Sequence, residues 1–264
     1  MFGDFLRKSV VTFGGIIAIG TAASATTLPG IGDYVGNAGF GVANGDVGVP
    51  PLAGVPLPGA DYVYVTTDDG DPLLTGLGLG SESGGSELTT FAFSALAGTE
   101  LSYFFNFVTS DGGDFADYAY VQLLNAADDS VAATLLTART VAMGDVVPGF
   151  GMPAISAGVT LTPATSGILP GTTWSELGVE SGTCFDTGCG HTDWIETSFT
   201  IDTAGDYKFR FGVMNWQDNS YDSGLAIAGF NLSRPAPAPV PLPAGGALLA
   251  SALGVIAFMR RRRK

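Results

Sequence analysis

Only a few clusters of polar residues in this chain have the types and spacing to do chemistry. Asp111, Asp114 and Asp117 stand three apart in Asp111-Gly-Gly-Asp-Phe-Ala-Asp117, and Asp218 and Asp222 lie in a second polar loop. Carboxylates at this spacing in a Gly-containing loop can converge on Ca²⁺, which takes about six to eight hard oxygen ligands. Gly112 and Gly113 would free backbone carbonyls to join them. The spacing is not that of an EF-hand, which closes on a Glu at the twelfth position. The alternative is a solvated turn whose Asp side chains bond local backbone. Asp68-Asp69-Gly70-Asp71 and Asp128-Asp129 read as turns of that second kind.

Cys184 and Cys189 are the chain's 2 cysteines, and His191 is its 1 histidine. In an exported chain an even cysteine count points to a disulfide. Gly188 would let the short loop bring the sulfurs together. A second reading adds His191 and Asp193 as ligands of Zn²⁺. Any Ser-His-Asp triad would have to use His191, and the chain has no G-x-S-x-G elbow. No carboxylate pair stands out as glycosidase machinery, so the expectation is a non-catalytic protein. Trp174, Trp194 and Trp216, with Tyr118, Tyr120 and Tyr221, either fill a core or offer faces for sugars to stack on. Trp216 is the candidate ligand contact, because Asn215, Gln217, Asp218 and Asn219 surround it as a polar loop would.

These residues must be positioned by elements that the rest of the sequence outlines. The chain has 264 residues, 46% hydrophobic and only 14% charged, with 39 Gly. That length suits one domain of roughly 200 residues plus targeting segments. Of the 11 basic residues, Arg7, Lys8 and Arg260 to Lys264 sit at the two ends, leaving Arg139, Lys208, Arg210 and Arg234 in a strongly acidic body. Such a body repels phosphate backbones, which argues against nucleic acid as a partner. It attracts divalent cations and basic surfaces instead.

Residues 1–25 follow the order of a secretory signal peptide: Arg7 and Lys8, the apolar run Val10–Gly20, then Ala23-Ser24-Ala25 with Ala23 and Ala25 as the cleavage-site small residues. The Sec translocase and signal peptidase are the partners this implies. At the other end, the Pro-rich stretch from Pro235 leads into Val240-Pro241-Leu242-Pro243. The run Leu242–Met259 carries no charge, and Arg260, Arg261, Arg262, Arg263 and Lys264 follow at once. The run is near the lower length limit for a membrane span, and the positive-inside rule keeps the basic cluster cytoplasmic.

This order of Pro motif, apolar helix and basic cluster resembles the PEP-CTERM sorting signal of Gram-negative bacteria that make extracellular polysaccharide. Val-Pro-Leu-Pro stands where the eponymous form has Val-Pro-Glu-Pro. The resemblance implies recognition by exosortase, a membrane protease that removes the tail; a plain C-terminal anchor would share the same topology. Val55-Pro56-Leu57-Pro58 repeats the tetrapeptide without an apolar run or basic cluster after it, so the three-part combination carries the resemblance.

Between the ends, strand-like runs recur at Asp61–Thr67, Leu88–Ala95, Glu100–Thr109, Tyr118–Leu124, Val131–Thr137, Ile195–Ile201, Asp206–Met214 and Leu225–Leu232. Gly, Asp, Ser and Asn separate them. The segments Leu101–Leu124 and Asn215–Ile227 resemble jelly-roll modules of exported bacterial proteins, some of which bind structural calcium in such loops. The expected fold is all-β: an antiparallel β-sandwich, jelly-roll-like, flanked by the signal peptide and a C-terminal transmembrane sorting helix. The expected organisation is signal peptide 1–25, a Gly/Pro-rich arm or first strand 26–58, the sandwich 59–233, a Pro-rich linker with the sorting motif 234–243, and the helix with its basic end 244–264. Residues 139–175 read as a long excursion between sheets. Function is expected to be a surface or matrix role beside extracellular polysaccharide, with calcium or carbohydrate binding. A secreted polysaccharide hydrolase and a purely adhesive matrix protein are the alternatives.

Overall fold

The computed structural model describes residues 31–42 and 61–233. The signal-peptide segment with Ala23 and Ala25, the motif Val240–Pro243, the apolar run and Arg260–Lys264 lie outside the described residues. Among the described residues, no helix is long and apolar enough to cross a membrane.

Two antiparallel sheets form a β-sandwich. The first holds β1 (Ile31–Val35), β4 (Glu82–Thr90), β5 (Phe93–Ala95), β7 (Tyr118–Asn125), β8 (Val131–Arg139) and β12 (Gly205–Trp216), in the order β1-β4-β12-β7-β8 with β5 also on β12. The second holds β2 (Asn37–Val42), β3 (Asp61–Thr66), β6 (Thr99–Thr109), β9 (Thr160–Thr162), β10 (Gly190–His191), β11 (Ile195–Ile201) and β13 (Ser223–Ser233), in the order β2-β3-β13-β6-β11-β9 with β10 also on β6. The Gly-rich segment before residue 58 contributes one strand to each sheet, crossing at Gly36 between β1 and β2. The chain also changes sheets between β8 and β9, within the stretch 139–175.

The period-2 pattern explains the core. Tyr207, Phe209, Phe211 and Val213 of β12 face inward and meet Leu101, Tyr103, Phe105 and Phe107 of β6 in one cluster. Alternation fails in β6, where Phe104 and Val108 on the other face are buried too. The reason is an outer cover: a 3-10 helix, Ser175–Glu180, and the preceding Trp174 lie on that face, and Trp174 and Leu177 cluster with Trp194, Ala226 and Ala228. Trp174 Nε1 donates to the Tyr62 hydroxyl at 3.0 Å, and Tyr62 donates to Glu176 at 2.8 Å. A strand buried on both faces reads as a continuous apolar run.

One expected strand is redrawn. The run Leu88–Ala95 is not continuous: β4 starts at Glu82, ends at Thr90, and only Phe93–Ala95 resumes as β5. Phe91, in the break between the two strands, is 63% exposed. The Gly84-Gly85 portion is strand because β12 supplies its partners, Asn215↔Gly84 and Met214↔Gly85. Non-local pairing overrides weak strand propensity here.

Candidate functional site

Three connections gather at one end of the sandwich: residues 67–81 after β3, 110–117 after β6, and 217–222 after β12. Backbone bonds tie them together. Thr67 N–H donates to Ser223 O at 2.8 Å, Ser110 N–H to Asp222 O at 3.0 Å, and Gln217 N–H to Ser81 O at 2.8 Å.

Asp117 is 1% exposed at the centre of this end. Its Oδ1 accepts the Trp216 N–H at 2.8 Å and its Oδ2 accepts the Ser223 hydroxyl at 2.7 Å. Burial drives its pKa well above the usual carboxylate range, outweighing the Ser223 bond, and Asp111 and Asp218 add repulsion. Asp111 is buried as well and accepts the Gly112 N–H at 2.7 Å. Burial pushes it up to about 7, with Asp218 adding to the rise.

The five carboxylates expected around calcium do not meet. Asp114 is exposed, and its backbone carbonyl accepts Gln217 Nε2 at 3.2 Å. Asp218 accepts the N–H of Ser220 at 2.9 Å within its own turn. Asp222 faces a different neighbourhood: its Oδ1 accepts the Thr67 hydroxyl at 2.9 Å. Burial pushes Asp222 up to about 6, against the Thr67 bond and with repulsion from Asp68, Glu180 and Asp69. Among the described residues, no group of three or more His, Cys, Asp and Glu side chains is arranged to hold a metal. The physical reason is local: backbone N–H groups and hydroxyls already occupy the oxygens of Asp117, and adjacent Asp222 and Ser223 serve different partners.

Asp222 instead lines a cavity of about 230 Å³ together with Thr67, Asp68, Asp69, Asn215 and Asn219. The local sequence marks Asp68 and Asp69 only as a turn. Asp68 has its pKa raised, by burial first and by Asp69 second. Gly178 of the outer cover comes close enough that a Cβ there would stand 2.5 Å from the Asp68 carboxylate. No local signal joins residues 68, 178, 215 and 222; only the fold does.

Cys184 and Cys189 form a disulfide, with Cα atoms 5.7 Å apart. Both sulfurs are thereby taken, which removes the zinc reading. His191 is buried in β10, its Nδ1 accepts the Asp193 N–H at 3.1 Å, and burial lowers its pKa.

Trp174 and Trp194 are buried in the outer cluster, and Tyr118 and Tyr120 are buried on the first sheet beside Met214. Trp216 is half-buried, and its ring is engaged: the Arg139 guanidinium carbon sits 4.4 Å from the ring centroid and Tyr118 meets it edge-on. Tyr221 joins two aromatic residues that no sequence signal pointed to, Phe115 and Phe185. Phe185 and Tyr221 have centroids 4.9 Å apart, and Phe115 meets Phe185 edge-on at 5.6 Å.

No protein-family model and no curated protein matches the chain. Among solved structures, it is similar to the K1 cleaved adhesin domain of Lys-gingipain from Porphyromonas gingivalis, at 10% identity and TM-score 0.35, over 81% of this chain and 99% of that one. The K3 adhesin domain of the same protein gives 13% identity and TM-score 0.33 over 74% and 91% of the two chains. An alginate lyase from Corynebacterium sp. gives 13% and 0.29 over 76% and 93%. Identities and scores this low define no family for the chain.

Proposed function

We propose that this chain is a non-catalytic β-sandwich exported to the cell surface or extracellular matrix, where it associates with extracellular polysaccharide. The observation that carries export is the Cys184–Cys189 disulfide, because such bonds persist in oxidising compartments. The order of charge, apolar run and small residues at 1–25 supports the same route. The Val240–Pro243 motif, apolar run and Arg260–Lys264 support sorting by an exosortase-type protease, leaving a mature form without the tail. The non-catalytic reading is supported by His191, whose Nδ1 is occupied and whose ring is buried.

Cell fractionation with mass spectrometry of the mature ends tests the route. Cleavage after Ala25 and loss of Arg260–Lys264 are expected; an intact basic end in the surface fraction would make the tail a permanent anchor. A glycan array probed with the full chain tests the role, and turnover of any bound polysaccharide would replace the non-catalytic reading with a hydrolase.

A further inference from the structure

Asn215 is 4% exposed, yet its Oδ1 has no hydrogen-bond partner. Asn215 falls on the same period-2 face of β12 as the core residues Phe209, Phe211 and Val213, and it is among the residues that line the cavity with Asp68, Asp69 and Asp222. A buried acceptor left unmade costs about 1–3 kcal/mol. Ionised carboxylates cannot relieve it, because they too only accept. A water could donate to Asn215, but it would leave the carboxylate charge of the cavity uncompensated. The described cations are committed elsewhere. Lys208 pairs with Asp129 at 2.7 Å and Arg210 with Glu87 at 3.6 Å. Arg139 donates to Ala116 O and covers Trp216.

We infer that this cavity is a calcium site, in which Asp222, Asp68 and the Asn215 amide oxygen contribute ligands and Asp69 adds negative charge at its mouth. All the donors are hard oxygens, the set that suits Ca²⁺ over softer metals. The site is a mixed one, with an amide and waters completing the shell around carboxylates, and so differs from a cluster of three or more acids. The cavity holds about 230 Å³, below the roughly 300–1,000 Å³ of small-molecule pockets. That volume accommodates an ion and its waters better than a sugar ring. The burial that opposes charge on Asp222 is what a divalent cation would offset. The site sits beside the calcium position expected from the sequence and shares only Asp222 with it. It stands independently of the proposed surface role.

The test is isothermal titration of CaCl₂ into the detergent-solubilised full chain after removal of metals with chelator, paired with thermal unfolding. One equivalent of Ca²⁺ is expected to bind with Kd on the order of 10⁻⁴ to 10⁻³ M, the range of extracellular modules. At 10 mM Ca²⁺, Tm should rise by several °C. Asp222→Asn and Asn215→Ala should each weaken binding by about tenfold or more, while Asp117→Asn leaves it unchanged. Circular dichroism in chelator checks that each variant folds; exposed Asp69→Asn, expected to weaken binding about threefold, serves if Asn215→Ala does not. The inference is overturned if no heat and no Tm change are seen, or if affinity is untouched in Asp222→Asn and Asn215→Ala. Loss of binding in Asp117→Asn instead would move the site to the Asp111–Asp117 loop and overturn it equally.

Discussion

Gly224 tests whether Trp174 lies on the outer face of the second sheet. A Cβ at Gly224 would come 2.4 Å from Trp174 Cζ3 and 3.0 Å from Cη2. The Gly224 backbone is ordinary for a strand, paired with Thr66 on one side and Val108 on the other. Gly224→Ala therefore brings two opposed effects. Overpacking against a buried ring costs about 1–3 kcal/mol, and removing a strand glycine recovers about 0.5–1 kcal/mol. The net expectation is a loss of about 1–2 kcal/mol, or roughly 2–8 °C in Tm for a body of this size. Trp174→Ala alone should cost about 3–5 kcal/mol through the cavity it leaves. In that background the clash is gone, so Gly224→Ala becomes neutral or stabilising. Urea unfolding at constant m-value measures all four corners of the cycle. A coupling of about 1–3 kcal/mol is expected. Additive costs, or a neutral Gly224→Ala in the parent, would refute the placement of Trp174.

Other outcomes follow from the same geometry. Thiol titration of the unreduced protein should find no free thiol, and Cys184→Ser/Cys189→Ser should cost about 2 kcal/mol, the loop-closure value for so short a bridge. Asp111 and Asp222 have folded pKa values raised to about 7 and about 6 from 3.8. Their neutral forms favour the folded state, so that contribution is complete below about pH 4 and is lost as pH rises through 6 and 7. Chelator-treated protein should thus lose stability between pH 4.5 and 7.5 in urea titrations, and Asp111→Asn should flatten the upper part of that decline; a steeper decline would contradict the sign. Gly178→Ala forces a side chain at φ +56 and against the Asp68 carboxylate. It should cost about 1–3 kcal/mol by thermal unfolding.

Strands were legible where burial is one-sided. In β12, Lys208 and Arg210 alternate with Tyr207, Phe209 and Phe211, and the pattern is visible in any window of the sequence. β4 was only half legible, because Ser83-Gly84-Gly85-Ser86 has turn composition and becomes strand through its partner β12. The disulfide was legible from an even pair of cysteines close together around Gly188. The acidic loop was legible as a concentration of carboxylates, but not their grouping. Asp117 spends both oxygens on Trp216 and Ser223, while Asp222 turns to Thr67. Trp216 looked free because its neighbours in sequence are polar, and Arg139, far away in the chain, covers it.

The acidic, charge-poor body, the strand content and the disulfide follow from the sequence by itself, because each is a property of composition or of a local pattern. Which acids share a cavity was decided only in three dimensions. Asp68, Asn215 and Asp222 belong to different strands and loops, and nothing in the local sequence joins the three. The pairing of β3 with β13 and of β4 with β12 brings them to one end of the sandwich. Burial and mutual repulsion then alter their chemistry, and both depend on what surrounds a group in space, whatever its neighbours in the chain.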